Sequence, residues 1–318
     1  MKNGALQRSD FYLVQKTLRH PLFFEGVSLH SGKVCRIELR PAPANQGVLF
    51  VRADLPGSAP IPAKFEYVIN TNLATTVGHL DKPEVHVATV EHLMAALYGA
   101  GLNNVTIFVH GDEVPILDGS AFPFVTGIMQ AGFEFQPFTA PVLKVKKPIK
   151  YYAKGAICEL LPRESLRLTT SIDFPHPLIG QQTYATDVAP QIFFDDVSKA
   201  RTFGFLRDVE HLKRMNLAQG ASLDNVLAFD EKEILNPEGA RYLDECVRHK
   251  LLDAFGDLAL CGSYIQGEFV SFRGGHSIHL GLLQSLAEHT GSWEMEMPEP
   301  LSLGKWETEV PYRPAVTI

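Results

Sequence analysis

The sequence predicts an α+β protein of two similar halves, each a β-sheet with helices on one face. Three observations carry this reading. Runs that alternate apolar and polar residues, the mark of half-buried strands, are interleaved with stretches of helical period. A helix, a glycine stop and a returning strand occur once per half, as EHLMAALYGAG–NNVTIFV and as HKLLDAFGDLALCG–YIQGEFVSF. Between them lies FEFQPFTAPV (133–142), with two prolines and no charge except Glu134, a composition that suits a boundary. The division expected is an extension at 1–12, a first half at 13–138 and a second at 139–318. A sheet with one apolar face must bury it under a second layer, so a site can lie where the two helices meet.

In chain order, GVSLHSG (26–32) reads as a turn and KVCRIELRPA (33–42) as the first strand. GVLFVRADL (47–55) is a second strand, closed by PGSAPIP; 61–77 is mixed, and VHVATV (85–90) leads toward a helix. EHLMAALYGAG (91–101) is that helix, with Leu93, Ala96, Leu97 and Ala100 on its apolar face and Gly99 and Gly101 at its end. NNVTIFVHG (103–111) returns as a strand, and LDGSAFPFVTGIMQAG (117–132) is a helix N-capped by Ser120 and ended by Gly132. The second half offers strands at 143–152, 156–162 and 166–174, an insertion at 204–233, a helix at 247–262, a strand at 264–272 and a helix from His279 to about His289. The tail 292–318 carries no assignable chemistry.

A chain of 318 residues, 45% hydrophobic and 20% charged, can bury a sizeable core. Its formal charge of -7 argues against nucleic acid as a main partner. Cys35, Cys158, Cys246 and Cys261 form no CxxC pair and read as buried reduced thiols. No apolar run approaches the ~18–20 residues of a membrane span. The stretch MKNGALQRSDFYLVQK lacks a signal-peptide core, so a cytoplasmic, monomeric protein is expected, with contact to a lipid surface still allowed.

HKLLDAFGD places His249, Asp253 and Asp257 at i, i+4 and i+8, on one face of a helix. A histidine and an aspartate one turn apart can reach one cation, although the same pattern suits an ordinary amphipathic helix. Glu91-His92 opens the first-half helix; the pair can serve a metal and its water, or a helix dipole and a packed core. Together, His92, His249 and Asp253 give three ligands and leave one tetrahedral position open, the catalytic rather than structural zinc arrangement. Such a set suits zinc and ferrous iron alike. His276 follows Gly274 and Gly275 and can face a cleft, with His279 as its competitor. Asp257 can orient such a histidine and keep it protonated. Thr202, in ARTFGF, is either an oxyanion donor or a structural strand-end hydroxyl. Lys250 meets a phosphate or is simply solvated. Leu206, Val209, Leu212 and Met215 form a stripe at helical spacing, core-like or the wall of an apolar groove.

TVEHLMAAL (89–97), DGSAFPFV (118–125), ARTFGFLRD (200–208), VRHKLLDAFGDL (247–258) and GGHSIH (274–279) occur in one register, with GVSLHSG and LRPAPANQGVLF (39–50) before them. In these segments the chain resembles the UDP-3-O-acyl-N-acetylglucosamine deacetylases, zinc enzymes of lipid A biosynthesis. The resemblance implies helices sandwiched between two sheets and one catalytic zinc on His92, His249 and Asp253. It implies Glu91 as general base, His276 as general acid with Asp257 as its partner, and Thr202 as donor to the oxygen of the tetrahedral intermediate. Phe203, Lys250 and His30 are implied as substrate contacts, and the insertion as a hydrophobic acyl passage. The substrate implied is UDP-3-O-acyl-N-acetylglucosamine. Two features depart from the family. The chain runs about a dozen residues past a typical start, and Ala74 stands in NLATT where some members carry a cysteine near the metal.

Overall fold

A computed structural model describes residues 12–298. The first half runs β1 (Val14–Leu18), β2 (Leu22–Val27), β3 (Val34–Pro41), β4 (Val48–Arg52), β5 (Ile61–Pro62), β6 (Val68–Asn70), β7 (Thr76–His79), β8 (Lys82–Val87), α1 (Glu91–Gly99), β9 (Val105–His110), α2 (Phe122–Ala131) and β10 (Phe133–Thr139). The second runs β11 (Val142–Val145), β12 (Ile149–Ala153), β13 (Ala156–Leu161), β14 (Arg167–Phe174), β15 (Gly180–Asp187), the single turn α3 (Pro190–Ile192), β16 (Phe203–Phe205), α4 (Leu206–Arg214), β17 (Leu227–Phe229), α5 (Glu245–Leu258), β18 (Tyr264–Gln266), β19 (Glu268–Phe272), α6 (His276–Glu288) and β20 (Trp293–Glu296).

The repeat is literal. One five-stranded sheet has the order β2-β3-β9-β4-β5 and the other β12-β13-β19-β14-β15. In both, one adjacent pair is parallel, β4 with β9 and β14 with β19, and the other three are antiparallel. Alternation sets the inner faces. Cys35, Ile37 and Leu39 of β3 are buried while Arg36 and Arg40 are exposed, and Ala156, Cys158 and Leu160 do the same on β13. A single apolar cluster joins both inner faces through the helices, from Ile37, Phe50 and Ile107 through Leu93, Leu97, Leu252 and Phe255 to Leu160, Leu168 and Phe269.

The helices α1 and α5 pack on each other, and both are buried nearly all round. A small residue makes the approach close. A β-carbon on Gly256 of α5 would stand 2.0 Å from the Glu91 carbonyl oxygen of α1. The polar side chains these helices bury, Glu91, His92, His249, Asp253 and Asp257, therefore sit in the middle of the molecule.

Several elements differ from the sequence expectation. Two strands, β1 and β2, precede the one read as first. All five residues of β1 are buried, Gln15, Lys16 and Thr17 included, so it shows no alternation. β10 lies in the stretch read as a boundary and pairs antiparallel with β1. The N-cap of α2 is Ala121; Ser120, one residue earlier, instead donates its hydroxyl to Asp118 and accepts the Phe122 N–H. α6 starts at His276 rather than His279, directly after the extended Gly275. The predicted strand 264–272 is divided at Gly267 into β18, which pairs with β11, and β19, which pairs with β13 and β14; a β-carbon at 267 would meet Val145 at 2.8 Å. The helix α4 buries none of its residues, and Leu206 and Met215 are about half exposed. All four cysteines are free, three of them buried and Cys261 partly so. No helix among the described residues is long and apolar enough to cross a membrane. The extension, apart from Tyr12, and the tail from 299 onward lie outside the described residues.

Candidate active site

Where α1 meets α5, three buried groups converge. His249 Nε2 is 3.2 Å and His92 Nε2 3.4 Å from Asp253 Oδ1, and the two imidazole rings stand edge to face at 4.9 Å. One ligand atom from each of the three residues lies within 4.8 Å of the others. The His249 Nδ1–H donates to the Ala200 carbonyl at 3.0 Å, which turns the Nε2 lone pair toward Asp253. Burial pushes His249 down to about 3, so it is a neutral imidazole in any ordinary buffer. Burial opposes the charge of Asp253, but the Lys250 ammonium, with Nζ 2.9 Å from Oδ2, holds its carboxyl well below the usual range. The Nδ1 of His92 is buried without a hydrogen-bond partner. Two imidazoles and one carboxylate, all dry and none satisfying the others with a short bond, have the donor chemistry that a divalent cation completes. The group can therefore hold a metal ion.

Beside it lies a second set. Glu91 Oε2 accepts the Thr75 N–H at 3.0 Å, and Oε1 is 3.8 Å from His276 Nε2. Burial raises the Glu91 carboxyl above its ordinary value. The His276 Nδ1–H donates to Asp257 Oδ2 at 2.8 Å, and the His279 Nδ1–H donates to that same oxygen at 2.7 Å. Asp257 Oδ1 takes the Thr75 hydroxyl at 2.6 Å. Burial works against a charge on His276, but the Asp257 carboxylate and then Glu91 override it and push the imidazole up to about 9. A carboxylate poised upward and an imidazolium face each other next to the metal-competent group, which is an arrangement for moving protons in opposite directions.

The supporting residues come from both halves. Arg201, almost wholly buried, donates from Nε to Glu245 Oε1 at 2.9 Å and from its backbone N–H to the same oxygen at 3.0 Å. That pair fixes the segment that carries Ala200 and Thr202 to the first residue of α5. The Thr202 N–H donates to Gly119 O at 2.7 Å, and Gly119 has φ +82° and no room for a β-carbon beside Asn225. Phe203 stands edge-on to His249 at 6.4 Å, with Lys250 Nζ 5.9 Å from its ring centre. Behind it, Phe174, Phe205, Phe229 and His176 form an aromatic cluster. His30 is held by its backbone: its N–H and that of Ser31 donate to the two oxygens of Glu113, which also takes the Thr89 hydroxyl. Burial lowers the His30 pKa, and the nearby His276 charge adds to that.

The structure thus gathers Glu91, His92, His249, Asp253, Asp257 and His276 at one point, with Lys250 on Asp253 and Phe203 beside His249. Sequence reasoning missed Thr75, which bonds both Glu91 and Asp257, and the sharing of Asp257 by His279. Thr75 lies in NLATT, a stretch without periodicity, and gave no signal of its own. A cavity of about 260 Å³ opens elsewhere, at the far ends of α1 and α5 beside Tyr98 and Tyr264, and shares none of these residues.

The fold and site define a duplicated α+β protein with a buried His–His–Asp group between its two halves. The family model described as UDP-3-O-acyl N-acetylglycosamine deacetylase matches residues 15–288. Among relatives, the UDP-3-O-acyl-N-acetylglucosamine deacetylase of Myxococcus xanthus is 43% identical over 281 residues, covering 88% of each chain. That of Idiomarina loihiensis is 42% identical over 282 residues, 88% of this chain and 92% of the relative. That of Shewanella baltica is 41% identical over 285 residues, 89% and 92%. The chain belongs to the UDP-3-O-acyl-N-acetylglucosamine deacetylase family.

Proposed function

We propose that this chain hydrolyses the 2-acetamido group of a UDP-3-O-(3-hydroxyacyl)-N-acetylglucosamine, releasing acetate and leaving the free amine, as a step of lipid A biosynthesis. Family membership supports the substrate class. The observation that carries the chemistry is the opposition of Glu91 and His276 at 3.8 Å beside His92, His249 and Asp253.

His92, His249 and Asp253 would hold zinc, or ferrous iron. When bound, the ion supplies Lewis acidity toward the amide carbonyl and activates water. Glu91, its pKa raised by burial, takes the proton of the attacking water. His276, kept cationic and oriented by Asp257, hands its proton to the departing nitrogen, so the amine leaves neutral. Thr202 donates to the oxygen of the tetrahedral intermediate. Lys250, Phe203 and His30 contact the substrate. The acyl chain runs along Phe203, Phe205 and Phe229 and beneath the half-exposed Leu206 of α4 and Met215 at its C-cap.

The test is acetate release from the 3-O-acylated UDP-sugar compared with unacylated UDP-N-acetylglucosamine. Much faster release from the acylated compound is expected. Equal rates would remove the acyl passage, and no release from either would remove the activity.

A further inference from the structure

Asp257 Oδ2 takes two hydrogen bonds from two different histidines, His276 Nδ1 at 2.8 Å and His279 Nδ1 at 2.7 Å. The side chains stand one turn apart at the start of α6, with ring centres 6.3 Å apart. Only the first has a place in the proposed chemistry. We propose that His279 is a positioning residue, a second imidazolium that shares Asp257 with His276 and, by drawing on that carboxylate, keeps His276 acidic enough to give up its proton. The proposal rests on the reading of His276 as the general acid.

The surroundings of His279 favour its charged form. An ionised carboxylate only accepts, so Nδ1 of His279 carries a hydrogen. Its other ring nitrogen faces Cys158, which is buried on β13 and directs its own thiol hydrogen to Ser271 Oγ at 3.3 Å. Burial opposes a positive charge on the imidazole, and the hydrogen bond to Asp257 with Cys158 beside it overrides that and raises the group to about 10.

The groups facing the pair are few. His276 is faced by Asp257 and Asp253 of α5, Glu91 of α1 and His30 of the 28–32 turn; His279 is faced by Asp257 and Cys158. Glu91, Asp253 and Asp257 thus face His276 and His279 in a dry space, with Asp257 the carboxylate that touches both. The first turn of α6 contains no acidic residue of its own, so the charge that offsets the two imidazoles comes from α5 and α1, and Asp257 is the one carboxylate bonded to both. Without the His279 charge, Asp257 and Glu91 would both act on His276 undiluted. Its proton would then be held too tightly for efficient transfer.

The test is a ¹⁵N-histidine NMR titration of the zinc-loaded protein, with resonances assigned from His276→Gln and His279→Asn. In the wild type, both ring nitrogens of His279 should be protonated at neutral pH. In His279→Asn, which keeps a neutral donor to Asp257, the His276 midpoint should rise by roughly one pH unit. The alkaline limb of kcat should move with it, while KM stays unchanged. A neutral His279 in the wild type, or an unmoved His276 midpoint in a folded His279→Asn protein, would overturn the inference. The wild-type spectrum decides if the variant does not fold. A midpoint that moves while the kcat limb stays fixed leaves the His279 assignment standing and removes His276 as the acid.

Discussion

Gly256 lies directly against Glu91: a β-carbon at position 256 would fall 2.0 Å from the Glu91 carbonyl oxygen. The close contact of the two central helices, and with it the distance from Glu91 and His92 to His249 and Asp253, depends on that missing side chain. Gly256→Ala should force α1 and α5 apart. The expected cost is about 1–3 kcal/mol of stability, as for other overpacked cores, with weakened metal binding. Thermal unfolding and a metal competition titration measure both; wild-type values in each would show that the contact is not limiting.

Asp253 and Asp257 are one turn apart on α5 yet face different groups. Asp253→Ala should lose bound metal. Asp257→Asn should retain it, while kcat falls by roughly 10²-fold or more as His276 loses its orienting carboxylate. Metal analysis of both variants checks this, and a metal-free Asp257→Asn would make Asp257 a ligand.

Removal of the metal by a chelator should abolish acetate release, and zinc should restore it. Activity that survives complete metal removal would sink the proposed mechanism.

The pH dependence has a definite sign. His276 and His279 are raised in the folded protein to about 9 and about 10, above the ~6.5 of an unfolded histidine. Their contribution to stability is therefore fully present below about pH 6.5 and is lost as pH rises through 9 to 10. Melting temperature should decline across that window, and kcat should fall on the same alkaline side. A flat melting curve between pH 7 and about 10 would contradict the Asp257–imidazole interaction.

Glu245 holds the buried Arg201 guanidinium and the Arg201 backbone at once. Glu245→Ala leaves a buried cation without its main partner and should cost about 3–5 kcal/mol. Denaturant unfolding reads it directly. A loss below about 1 kcal/mol would mean that the carboxylate of Glu238, 2.6 Å from Arg201, compensates.

The sequence made α1 and α5 legible because both combine an apolar pattern with a glycine stop and a following strand. The suspected repeat corresponds to two sheets of identical strand order. β1 was not legible because it is buried on every side and carries Gln15, Lys16 and Thr17, so period-two alternation vanishes. The start of α6 was missed because Gly275 supplies no capping side chain and the first turn has no acid. Helical spacing put His249, Asp253 and Asp257 on one face, while the places of Glu91, His92 and His276 came with the family resemblance. Thr75 stayed hidden, since a backbone N–H and one hydroxyl acting across the fold leave no periodic trace. The shared bond of His279 was equally invisible, because two histidines three residues apart do not reveal that one carboxylate oxygen serves both.

Two sheets of one strand order could be assembled from two copies of a single half. In such a homodimer both central helices would carry the same residues, and whatever one offered the other would offer too. Joining the halves in one chain frees them from that symmetry. Here α1 brings a carboxylate and one imidazole, while α5 brings an imidazole and two aspartates, so a duplicated scaffold holds one site with distinct donors on its two sides.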